Sequence, residues 1–202
     1  MNVEEINKHN QVYEQAYSLL RGEILLDGKP PLSRPGFFVR RRLNKAIALF
    51  NDVLQMNPEN WAAMFGIAKA AQRLGDNVRA FDLMLAAHRG NPSVSGFARE
   101  AGLIAFQLGR TRKGIELTEA AITIQPDDGS LYSNLGLGHL LGGNTAAAVE
   151  AFQRANDLEL DHTITPRLLA VAQAVHSGTL PCPKSEAEVL RAAQQIFGRE
   201  RR

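Results

Sequence analysis

From Asn60 to Pro92 the apolar positions follow helical spacing twice over. Trp61, Met64, Phe65, Ile67, Ala68 and Ala71 predict one amphipathic helix, which Gly75 stops. Asp76 or Asn77 can cap a second helix, along which Val78, Phe81, Leu85 and His88 recur at steps of three and four. Asn91-Pro92 closes the pair and opens the turn into whatever follows. The expected unit is two antiparallel helices joined by a tight turn.

The unit recurs. Pro58, Pro92 and Pro126 are 34 residues apart, and Gly75, Gly109 and Gly143 keep the same step. Ala87, Ala121 and Ala155 follow it, as do the small residues Ala68, Gly102 and Gly136, and Ala80, Gly114 and Ala148. Five columns sharing one period identify an array of repeated supersecondary units, each burying its apolar face against its neighbours. Glycine within a helix costs up to about 1 kcal/mol relative to alanine, so these columns are read as sites of close helix approach that offsets the penalty.

Outside the regular part the pattern weakens without ending. Ala46, Phe50, Val53 and Pro58 fit the second helix of an earlier unit, whose first helix is expected at Glu4 to Leu20. An insertion from about Gly22 to Phe38 separates the two, and its Lys29-Pro30-Pro31 and Arg34-Pro35-Gly36 break helices. Thr165 to His176 reads as a further first helix, and Thr179 to Lys184 interrupts the chain after it. Ser185 and Glu188 then form a capping box for a last amphipathic helix through Phe197, expected to act as a terminal cap.

These columns resemble the tetratricopeptide repeat, a 34-residue helix-turn-helix with small residues at these sites and a proline at the end. The resemblance covers residues 61–94, 95–128 and 129–162, with a divergent N-terminal repeat over 4–58. It implies an all-α, right-handed αα-superhelix of about four to five helix pairs, with residues 1–202 forming a single domain. Departures occur where the family carries aromatics: the early position is Met64, Ala98 and Tyr132, and the later one is Ala71, Ala105 and His139. His139, in a column filled by a packed tyrosine, is expected to be structural. Leu160-Asp161 stands where a fourth proline would fall.

In this family the first helices line a concave face, which assigns partner-binding positions to this chain. They are Phe65, Lys69, Gln72 and Arg73 on the first helix, then Arg99, Leu103, Phe106 and Gln107 on the next. Ser133, Asn134 and Leu137 follow with Ser130 and Leu141, and then Arg167 and Val171 with Ile164 and Leu168. Lys69, Arg73, Arg99 and Arg167 would make the groove basic around apolar centres, a surface suited to an acidic and apolar segment. Leu103, Leu137 and Val171 also suit packing against neighbouring helices. A lysine-and-asparagine clamp for acidic chaperone tails is not matched: Phe65, Lys69, Glu100, Ser130 and Asn134 stand at its positions, and Glu100 would repel a carboxylate.

Composition changes this picture little. The formal charge of +2 points to neither nucleic acid nor membrane. Cys182 stands alone, so no intramolecular disulfide forms, and the acidic start lacks a signal-peptide pattern; a cytoplasmic location is expected. No two of the five histidines share a metal-binding spacing on one helix. Gly136-Leu137-Gly138 is not a dinucleotide loop, because Leu141 takes the third glycine place and no strand precedes it. No catalytic residue, metal site or cofactor is expected. The run Arg40-Arg41-Arg42 with Lys45, next to Arg34, is read as a solvated helix face, with contact to an acidic partner or a phosphate backbone as the alternative. The functional expectation is a scaffold or adaptor that binds a protein or peptide. Its rivals are a self-assembling homo-oligomer and a regulatory subunit of an enzyme complex.

Overall fold

A computed structural model describes residues 2–23, 34–158 and 164–198. Ten helices and no strand occur among them. The Leu160-Asp161 departure and positions 24–33 of the insertion lie outside the described residues. The chain divides into two compact units, residues 1–92 and 93–202, at the second of the three spaced prolines. The expectation of one domain comes from the sequence alone; each unit has its own core.

The first unit holds α1 (Val3–Leu20), α2 (Phe37–Met56), α3 (Trp61–Leu74) and α4 (Asn77–Gly90). Neighbours in sequence pack together, and α1 also touches α3, so α1 and α3 occupy equivalent first-helix places. Leu20, Leu43, Ile47, Phe50, Val53 and Ile67 form the core, and Tyr13 sets its ring edge against Phe50 at 5.6 Å. Asn60 does two jobs at the head of α3. Its Oδ1 accepts the Ala63 N–H at 2.8 Å, and its Nδ2 lies 3.0 Å from His9 Nε2 on α1. An amide nitrogen can only donate, so His9 Nε2 accepts, and its Nδ1–H donates to Asn10 Oδ1 at 3.1 Å.

The second unit holds α5 (Ser95–Gln107), α6 (Thr111–Ile124), α7 (Gly129–Leu141), α8 (Thr145–Leu158), α9 (Thr165–His176) and α10 (Glu186–Gly198). Each helix packs on the next, and α7 also touches both α5 and α9. Leu140, Phe152, Val171, Val175 and Val189 belong to one cluster of its core, and Ala98, Ala121 and Leu131 to another. The expected box at the last helix is displaced by one residue. The Glu188 N–H donates to Ser185 Oγ at 3.3 Å, but the Glu188 carboxylate takes the N–H of Lys184 rather than that of Ser185.

The repeat columns acquire physical meanings. Gly75, Gly109 and Gly143 end α3, α5 and α7 with positive φ values of 90°, 71° and 78°. The same paired bonds close all three turns. Gly75 N–H reaches Gln72 O and Asp76 N–H reaches Ala71 O; the Gly109-Arg110 and Gly143-Asn144 pairs repeat this. The small columns are contact points. A Cβ on Gly102 would stand 2.9 Å from Thr118 Oγ1, and one on Gly114 would stand 2.3 Å from the Phe106 ring. Ala68, Ala80 and Ala148 are fully buried.

Gly114→Ala should therefore cost about 1–3 kcal/mol through overpacking, read as a lower midpoint in urea unfolding. Gly114→Ala combined with Phe106→Leu should recover part of that loss. A double variant no more stable than the sum of the two single losses would show that the two side chains do not compete for this space.

Candidate functional site

The sequence-assigned residues fall into two groups, one in each unit. In the first unit, α3 carries Phe65, Lys69, Gln72 and Arg73. Phe65 and Gln72 are half-buried. Lys69 is only 5% exposed, with Nζ 5.6 Å from the centroid of the Phe65 ring. Arg73 is enclosed too: its side chain is 8% exposed, and Nε donates to Glu23 Oε2 at 3.0 Å. Glu23 also takes Arg42. Neither cation of α3 is an open surface charge, a correction to the expectation that both make a groove basic. Glu23 lies 50 residues before Arg73, and no local pattern announces the pair.

The second unit carries the rest. Arg99 on α5 is partly exposed and lies 3.9 Å from Asp128, the N-cap of α7, which accepts from both Ser130 N–H and Ser130 Oγ–H. Leu103 is half-buried and Gln107 is exposed. Phe106 is buried in the notch that Gly114 and Gly138 leave for it. On α7, Ser133, Asn134 and Leu137 are half-buried, and Ser133 Oγ is 2.9 Å from Thr165 Oγ1 of α9. Arg167 is exposed, with its guanidinium 5.5 Å from the Phe197 ring centroid.

In the second unit, two assigned residues offer almost no surface. Val171 is fully enclosed among Leu140, Ala172 and Val189, and Phe106 packs inside the α5–α6 pair. What remains accessible in the second unit is Arg99, Leu103, Gln107, Ser133, Asn134, Leu137 and Arg167, spread over α5, α7 and α9.

Sequence reasoning missed a recess of about 240 Å³ between α9 and α10, lined by Ile164, Arg167, Leu168, Leu190 and Phe197. Ile164 and Leu190 are both about half exposed there. The signal was the apolar side of the last helix, read as a terminal cap or as a contact for self-association, opposite Ile164, Arg167 and Leu168 of the assigned face. Among the described residues, no group of three or more His, Cys, Asp or Glu is placed to hold a metal ion, and no helix is long and apolar enough to cross a membrane.

His139 is half-buried on α7, and desolvation holds its pKa below the ordinary histidine value despite the opposing pull of Glu119 and Glu150. A lowered folded-state pKa means that the unfolded chain takes up the proton first. The stability associated with neutral His139 is thus present above the unfolded value, near pH 6.5, and declines as the pH falls from there towards the folded pKa. His139→Tyr, which restores the family's side chain, should reduce the fall in melting temperature between neutral and mildly acidic buffer. An unchanged slope in calorimetry would remove His139 from the acid response.

Antiparallel helix pairs with a repeated glycine turn and small-residue contacts define a helical repeat protein of the interaction-module class. A tetratricopeptide-repeat family model matches residues 37–94 and 99–158, and the chain belongs to that family. Its fold is similar to solved structures of low sequence identity. Residues 41-end of MamA from Desulfovibrio magneticus RS-1 match with a TM-score of 0.71 at 16% identity, covering 96% of each chain. Pseudomonas aeruginosa pilF matches at 0.65 and 15% identity, over 96% of this chain and 77% of that one. YrrB, described as a tetratricopeptide protein with an unusual peptide-binding site, matches at 0.61 and 16% identity, over 78% and 79%. No curated protein sequence gives a significant match.

Proposed function

We propose that the protein is a non-catalytic, cytoplasmic scaffold or adaptor that holds a peptide or protein segment on the first helices of its second unit. The observation that carries this reading is the contact of α7 with both α5 and α9. It sets three first helices side by side within one compact unit. Arg167 supplies positive charge on α9, Arg99 on α5 is shared with Asp128, and Leu103 on α5 and Leu137 on α7 supply apolar area. A segment carrying both acidic and apolar side chains matches that arrangement. The peptide-binding site described for YrrB supports the class of ligand by analogy of fold.

Rigid helices present this face already formed, so the ordering cost of binding falls mainly on the partner. The enclosed Lys69 and Arg73 change the choice of variants. Charge reversal at either would bury an unmatched carboxylate and test stability instead of binding. Arg167→Glu is the informative change. In affinity capture from native lysate it should lose the specific partner about ten-fold or more, in line with removal of an interfacial charge pair. Arg112→Glu, on the exposed side of α6, should keep it. Equal recovery with both variants would overturn the assignment of this face.

A second reading, self-association through the last helix, has one observation in its favour: Leu190 is about half exposed beside the α9–α10 recess. Leu190→Glu should convert a dimer to a monomer in light scattering if that face joins two copies. A wild-type protein already monomeric at high concentration would eliminate this reading.

A further inference from the structure

The start of α2 carries a surface that the scaffold reading does not use. Phe37 and Phe38 are 72% and 82% exposed, and their rings meet each other edge to face at 5.5 Å. Large apolar side chains so open to water, adjacent in sequence and in space, have no role in the core of their own unit. That core is built from the opposite side of the helix, where Leu43, Ala46, Ile47 and Phe50 are buried. Helical spacing puts Phe37, Phe38, Arg41 and Lys45 together on the outward face. Arg34 and Arg40 are exposed beside them.

Charge is as one-sided as exposure. From Arg34 to Asn51 the chain contains five cations and no acid. Among the described residues, Glu23 just after α1 reaches these turns, and it is engaged by Arg42 and Arg73. No acidic side chain lies in the first turn of α2, where the helix dipole would favour one, and Gly36 supplies no side-chain cap. Arginines in the next turn add to the positive end of the helix. This arrangement works against helix stability and favours a negative partner.

We propose that this face docks on an anionic lipid surface, with the Phe37 and Phe38 rings entering the headgroup boundary and Arg34, Arg40, Arg41 and Lys45 contacting the lipid phosphates. Both rings are open to water, so a protein partner would need a cavity shaped to receive them. A bilayer interface accepts protruding rings without such a match, and long basic side chains can keep their charge in the headgroups while their stems lie along apolar surface. Each basic residue near an anionic membrane strengthens binding by about five-fold, so four together with two rings suffice for reversible attachment but not for permanent insertion. The sequence reading expected a solvated face and no membrane contact; the exposed aromatic pair is what changes it. The inference is independent of the partner-binding face, which lies in the other unit.

The test is co-sedimentation of the full chain with vesicles of phosphatidylcholine alone, and of phosphatidylcholine with about a third phosphatidylglycerol. Binding is expected to the anionic vesicles only, and it should weaken as salt rises from about 50 to 200 mM. Phe37→Ser with Phe38→Ser should reduce it about ten-fold or more at constant salt. Arg41→Glu with Lys45→Glu should abolish it, and unchanged melting temperatures would show both variants folded. Failure of the wild type to bind anionic vesicles overturns the proposal. So does binding that survives loss of both rings, which is simple charge attraction. Tighter binding to duplex DNA or to an acidic protein, with the same dependence on the two phenylalanines, assigns the face to that partner instead.

Discussion

Everything in this chain rests on how closely the two helices of a pair can approach. Where α5 meets α6, Gly102 lies under Thr118 and Gly114 receives the Phe106 ring. The Thr118 hydroxyl turns back to donate to Gly114 O at 2.8 Å, so no polar atom is stranded in the gap. Where α7 meets α8, Gly136 faces Phe152 in the same way. A glycine on one helix and an aromatic ring on the other form a single contact, repeated with the partners exchanged. Close approach lets a thirteen- or fourteen-residue helix bury one side completely. Such short helices are marginal alone and need that burial to exist.

This constraint explains what could be read from the sequence. The glycine, proline and small-residue columns report backbone geometry that each unit needs locally: a left-handed turn residue, a stop, a notch. They repeat with the units, and they located α3 to α8 almost to the residue. The face of a first helix is another matter. Leu103, Leu137 and Val171 hold comparable places on α5, α7 and α9, yet only Val171 is enclosed. Val171 shares its core cluster with Val189 and Ala193 of α10 as well as with Leu140, and a terminal helix lies outside the repeat. The fate of Arg73 was equally hidden. Its partner Glu23 belongs to the segment after α1, far along the chain and in no repeat column.

The irregular parts therefore carry most of what is individual about the protein. The repeats supply a face of half-buried polar and apolar side chains that many members of a family could present. Beyond them lie the basic and aromatic start of α2, the Glu23 pair of ion contacts and the recess beside α10. Helix spacing alone placed three arginines around α2 and suggested solvation. The exposure of two phenylalanines ahead of them supplies a second kind of chemistry on the same face, which charge patterning could not reveal.

Asn60 shows how the divergent first pair is joined to the regular array. Its amide is a single rigid plane, so turning Oδ1 towards Ala63 fixes where Nδ2 points, and Nδ2 points at His9. The start of α3 and the placing of His9 on α1 are thus tied to one side chain. A chain in which α3 has not begun offers His9 no oriented donor. Since α1 is otherwise held on α2 by Leu20 and the Tyr13–Phe50 contact, fraying at Asn60 would loosen the head of α3 and the His9 turn of α1 together.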